Sequence, residues 1–197
     1  MKAKIKRNFR VARYVIYRET IINTSDIFWT FLGAFAGISA IGFLSARYFT
    51  MNDTLFLIGS FGATAVLIYG ATNSPLAQPR NLVGGHLISA IVGVTMFKLF
   101  PGIPWLSSAL AVATSIVIMQ ITKTLHPPGG ATALIANIGS EKIKALGYLY
   151  VLSPVLSGVL ILLVIALIFN NIPENRFYPY KKPKNRFLQK LLRREDD

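Results

Sequence analysis

His126-Pro127-Pro128-Gly129-Gly130-Ala131-Thr132-Ala133-Leu134 lies between two apolar runs and has the grammar of a break followed by a helix start. Two prolines stop a preceding helix from running on. Two glycines let backbone approach a neighbour closely. Part of the stretch occurs twice: Gly-Ala-Thr-Ala stands at 130–133 and again at 62–65, an offset of 68 residues. The same offset lays Ser39 on Ser107 and Ser89 on Ser157, which supports a duplication. A rival match, 38–41 against 88–91, pairs different segments and argues for coincidence.

The surroundings are those of a membrane protein. Of 197 residues, 53% are hydrophobic and 15% charged, where a soluble domain carries about 25% charged. The charges are segregated. Residues 1–26 hold seven Lys/Arg and residues 171–197 hold eight, while the 144 between them hold six, with Asp53 and Glu141 the acids. An apolar body with two basic tails is the pattern of a polytopic membrane protein, its tails facing the cytoplasm and anionic lipid. Nucleic acid is therefore not the expected partner. The absence of cysteine excludes disulfides and thiolate metal sites, two histidines and few acids leave little for any other metal, and no cofactor motif is present.

Six hydrophobic segments follow in order. They are 27–46, 55–72, 82–100, 105–122, 131–139 and 147–169. Segments two and five are short or broken, and nine residues are too few to cross ~30 Å as a helix. The expectation is an all-α polytopic fold, 27–170, built as a 3+3 inverted repeat with copies at about 27–100 and 105–170. Six crossings put both termini in the cytoplasm; the alternative makes segment five re-entrant. Residues 1–26 read as an interfacial amphipathic helix or a basic tail. Gly33, Gly37 and Gly42 give segment one a small-residue face suited to close packing.

A half-helix starting at Gly129-Gly130 would present backbone N–H groups and the positive end of its dipole to an anion. Thr132 adds a hydroxyl, and the matching start at Gly62, with Ser60 and Thr64, would face it. His126 can donate a hydrogen bond or carry a proton. His86 can line the path, although a histidine bonded between helices is the commoner case. Arg80 and Lys123 are candidate lures at a pore mouth, against the plainer reading of loop charges. The alternative for Pro127-Pro128-Gly129-Gly130 is a tight turn. Gln78 and Asn81 read as joiners of helix ends. No Gly-x-Ser-x-Gly, His-Glu-x-x-His or P-loop is present, so no enzyme is expected.

The stretch from His126 to Leu134 resembles the HPP family of integral membrane proteins, which takes its name from that tripeptide. The resemblance extends to Ser60-Phe61-Gly62-Ala63-Thr64-Ala65-Val66, to Ser74–Asn81 and to Gly84-Gly85-His86, and covers about 25–172. The family is usually described with four spans, fewer than the six segments here. Cyanobacterial and chloroplast members are regarded as nitrite transporters. The resemblance therefore implies a transporter or channel for a small inorganic anion, nitrite, with homo-oligomerisation expected for so small a body. The competing class is a membrane scaffold without transport activity.

Overall fold

The computed structural model describes residues 24–48, 58–174 and 176–180. The basic tails, and with them the interfacial helix expected at 1–26, lie almost entirely outside these residues. All regular structure among the described residues is helical. Helix α1 is Thr24–Tyr48. Helix α2, Gly59–Ala65, continues into a π-helical turn, Val66–Gly70. A 3₁₀ turn, Pro75–Ala77, leads to α3, Pro79–Leu99. Helices α4 (Pro104–Ile121), α5 (Pro127–Ile138) and α6 (Glu141–Ala145) follow. An irregular π stretch, Val151–Leu156, runs into α7, Ser157–Phe169.

Four of these are long and apolar enough to cross a membrane: α1, α3, α4 and the run Val151–Phe169. Four candidate spans thus stand among the described residues where six hydrophobic segments were expected. The two short ones are those expected. Helix α5 has 12 residues, about 18 Å at 1.5 Å per residue, well below a bilayer's ~30 Å. It begins at Pro127, earlier than the expected start at Ala131, because proline at the first two helical positions fits the helix φ and forfeits no intrahelical bond. The sixth segment is not one continuous helix: Ser153 is extended (φ −140°, ψ 119°) just before Pro154, and regular helix resumes at Ser157.

Helix α3 is central. It packs against α4, α5 and the Val151–Leu156 stretch, while α1 lies against α7. Glycines set the closeness of the α3–α5 contact. A Cβ at Gly93 would fall 2.7 Å from the Ala133 carbonyl oxygen, and one at Gly85 would fall 2.5 Å from His126 Cβ. One at Gly129 would lie 3.0 Å from the Gly85 carbonyl oxygen. Small residues let helix backbones touch where no solvent drives them together.

The glycine face of α1 packs closely, as expected, against α7 and Tyr69: a Cβ at Gly33 would lie 3.3 Å from Phe169 Cβ, and one at Gly37 3.1 Å from Leu162 Cδ2. Tyr69, from the π turn, fills it: a Cβ at Gly33 would fall 2.8 Å from the Tyr69 ring, and one at Gly37 would collide with the Tyr69 hydroxyl. Gly42 has nothing within 4 Å and takes no part. Tyr69 Oη donates to the Leu162 carbonyl of α7 at 3.1 Å.

The π turn interrupts the regular ladder, and its carbonyls find partners elsewhere. Asn170 Nδ2 donates to Ile68 O at 2.9 Å, and Thr30 Oγ1 donates to Tyr69 O at 3.1 Å. Irregular backbone at membrane depth survives only where protein satisfies it in this way. Nearby, buried Arg176 donates from Nε to Asp26 Oδ1 at 2.8 Å and from Nη2 to Thr30 Oγ1 at 2.8 Å and to the Asp26 carbonyl. This ties the chain beyond α7 to the start of α1, so both ends of the helical body meet on one side. Tyr178, beyond the spans, donates to Ala77 O at 2.7 Å, and burial raises its hydroxyl above the ordinary tyrosine range, which keeps it a donor.

Gly93→Ala should lower unfolding stability in detergent by about 1–3 kcal/mol, because its neighbours include backbone that cannot yield. Gly42→Ala should leave stability unchanged or slightly raised, the helix gaining alanine in open space. Detergent-titrated unfolding followed by circular dichroism measures both.

A buried histidine and threonine cluster

The Gly-Ala-Thr-Ala copies sit on α2 and α5, and their threonines meet the same imidazole. His86 Nε2 lies 2.8 Å from Thr64 Oγ1, and His86 Nδ1 lies 2.7 Å from Thr132 Oγ1. His86 is on α3, eight residues into that helix, and projects between the two short helices. All three side chains are fully buried. Each threonine also reaches back one turn, Thr64 to Ser60 O at 2.9 Å and Thr132 to Pro128 O at 3.4 Å. The matching positions of the repeat make matching contacts.

His126 completes the cluster. As N-cap of α5 it is extended (φ −142°, ψ 104°), because a residue before proline is barred from the helical region. Its Nδ1 is 2.9 Å from Leu76 O. A carbonyl can only accept, so Nδ1 carries the hydrogen and Nε2 of the neutral ring is left as acceptor, 3.4 Å from Thr64 Oγ1. The two imidazole centroids are 4.9 Å apart, and Phe61 covers His86 edge-on at 6.0 Å.

One assignment of hydrogens satisfies His86 in full. Thr132 donates to Nδ1, Nε2–H donates to Thr64 Oγ1, and Thr64 turns its own hydrogen to Ser60 O. The mirror assignment, with Thr64 donating to Nε2 and Thr132 turned to Pro128 O, works equally with the other tautomer. Buried Ser60 Oγ, one turn before Thr64, has no hydrogen-bond partner.

The remaining candidates divide. Pro128 and Gly129 are buried beside the cluster, and Gly130 is half-buried. Gly62 and Pro127 are exposed and point away, and a Cβ at Gly62 would meet nothing within 4 Å. The backbone donors expected at Gly129-Gly130 are fewer than a free helix start would offer. The first two positions of α5 are prolines without N–H, and the Gly129 N–H is spent on His126 O at 2.8 Å. The side-chain groups that meet in the interior are hydroxyls and imidazoles.

Arg80 and Lys123 are exposed at the end of the molecule where α5 begins. Arg80 Nη2 donates to Thr122 O at 2.7 Å and so caps the C-terminus of α4, where a cation suits the dipole. Lys123 follows that C-cap in the left-handed region, φ 56°, and turns the chain. Gln78 and Asn81 join loop backbone: Gln78 Nε2 donates to Thr72 O and Ser74 O, and Asn81 Nδ2 to Leu125 O. The residue that sequence reasoning underrated is His86. Its signal was its place in a span, at the end of the Asn81-Leu82-Val83-Gly84-Gly85-His86 run.

Long apolar helices around a buried polar cluster define a polytopic, all-α integral membrane protein. Its sequence matches the transmembrane region of the HPP family over residues 19–179, and the chain belongs to that family. It is similar to two transmembrane proteins of Dictyostelium discoideum. One is 44% identical over 165 residues, covering 82% of this chain and 58% of the relative. The other is 46% identical over 157 residues, covering 78% and 50%. The chain thus spans a little over half the length of these relatives. No solved structure matches.

Thr132→Val keeps the shape and removes the hydroxyl, leaving a His86 nitrogen without its partner at 2.7 Å. It should cost about 1–3 kcal/mol of stability, and Thr132→Ser should restore most of the loss. Detergent-titrated unfolding of the two variants beside the parent checks this.

Proposed function

We propose that this protein conducts a small inorganic anion, nitrite being the leading candidate, through the region of His86, His126, Thr64 and Thr132. The observation that carries the reading is the buried cluster itself. Ionisable groups buried in a membrane span are expensive, and such groups face bundle interiors or water-filled paths where substrates pass. The cluster offers hydroxyl and imidazole hydrogens, which are anion donors, and no carboxylate joins it among the described residues. An interior without carboxylate suits an anion and disfavours a metal cation.

The anion would be held by the rotatable hydroxyls of Thr64 and Thr132 and by imidazole N–H groups. Arg80 and Lys123 would raise the local anion concentration at the end where α5 begins, by attraction that salt screens. Both termini facing the cytoplasm would agree with the shared side of Asp26 and Arg176 and with the basic tails.

Purified protein in proteoliposomes should take up nitrite faster than protein-free vesicles, and His126→Ala should remove most of the excess. Uptake indistinguishable from empty vesicles for nitrite, nitrate, formate and chloride alike would end the transport reading.

A further inference from the structure

We propose that one proton crosses with each monovalent anion and that His86 is its seat. The inference rests on the transport reading and adds the coupled ion. Its starting point is charge. An isolated anion in a dry interior is very costly unless an opposite charge meets it. Among the described residues the cationic side chains stand away from the cluster. Arg80 and Lys123 are exposed, Arg176 is paired with Asp26, and Lys144 with Glu141. The groups inside that can acquire a positive charge are the two imidazoles.

His86 is built to hold that charge without a hydrogen left over. Protonated, it donates from both nitrogens, to Thr64 Oγ1 at 2.8 Å and Thr132 Oγ1 at 2.7 Å. Each hydroxyl then turns its own hydrogen to the carbonyl one turn back, Ser60 O at 2.9 Å or Pro128 O at 3.4 Å. When the proton leaves, one hydroxyl turns round and donates to the emptied nitrogen. Both protonation states therefore complete their hydrogen bonds by rotating a hydroxyl, with no movement of heavy atoms. His126 is held less closely: its Nδ1–H is fixed on Leu76 O, and its Nε2 reaches Thr64 Oγ1 at 3.4 Å.

The surroundings also limit the number of protons. The groups facing the two rings are Thr64, Phe61 and Ser60 from α2, Thr132 and Pro128 from α5, the Leu76 carbonyl, and each other. None of them carries a charge. Two imidazolium rings with centroids 4.9 Å apart would repel in a low-dielectric interior, so one proton occupies the pair at a time. Ser60 Oγ, one turn before Thr64, is buried and without a partner, and so has a hydrogen to give to an anion oxygen. One anion with one proton makes the step electrically neutral.

The test uses the full chain in vesicles that hold a pH-sensitive dye, with potassium and valinomycin to set the membrane potential. Nitrite is added outside, and the signal of protein-free vesicles is subtracted to remove leakage of the free acid. Nitrite accumulation and internal acidification should rise in one-to-one proportion, and the rate should be the same at inside-negative and inside-positive potential. His86→Gln should reduce both fluxes by about tenfold or more, equivalent to at least 1.4 kcal/mol. Nitrite uptake that follows the imposed potential without acidification would overturn the coupling and leave the transport reading standing. Absence of protein-dependent flux for any of nitrite, nitrate, formate or chloride would overturn both. The potential dependence is read on the unaltered protein, so it decides the matter even if His86→Gln does not fold.

Discussion

The structure depends on one imidazole held by both nitrogens. His86 sits on the central helix, and the hydroxyls that grip it come from two short helices on either side. In an interior with no water to spare, an unpaired ring nitrogen would cost about 1–3 kcal/mol. The pairing therefore fixes where α2 and α5 stand relative to α3. The glycines of α3 and α5 are the steric half of the same constraint. Gly85, Gly93 and Gly129 let backbone reach backbone, and without that approach Thr132 would stand too far out to touch the ring.

A second constraint follows from the shortness of α2 and α5. Neither is long enough to span a bilayer as a helix, and the irregular backbone beside each is satisfied by protein. Asn170 reaches Ile68 O, Thr30 and Arg176 reach Tyr69 O, and Leu76 O is taken by His126. The broken elements are thus held by side chains from the long ones. His126 belongs to both systems: its Nδ1 closes a loop carbonyl, and its Nε2 faces the cluster.

Much of this was legible in the sequence, for identifiable reasons. Runs of apolar residues bounded by Pro101-Gly102-Ile103-Pro104 and by Asn73–Asn81 mark the long helices, because composition and proline are local signals. The recurrence of Gly-Ala-Thr-Ala marked the two threonines that converge. The repeat could not say which of its residues point inward. Gly62 lies two residues before Thr64, on the other side of a helix with 3.6 residues per turn, and so faces out. The spacing likewise could not reveal that Gly33 and Gly37 receive Tyr69, since that contact joins residues far apart in the chain. The spacing also could not show that the helix starts at the prolines, so that the Gly129 amide turns back to His126 O. The hub role of His86 needed three dimensions, because one histidine in an apolar run looks the same whether it is gripped on one nitrogen or two.

The grip on His86 can be observed directly. Solid-state NMR on the protein in lipid bilayers, with ¹⁵N-labelled histidine and ¹³C-labelled threonine, reads through-space transfer from each ring nitrogen to nearby threonine carbons. The account predicts that the two nitrogens of His86 correlate with different threonines, Nε2 with Thr64 and Nδ1 with Thr132, and that Thr64→Ser and Thr132→Ser each erase one correlation. A His86 nitrogen that shows no threonine correlation and exchanges its hydrogen rapidly with bulk water would contradict it.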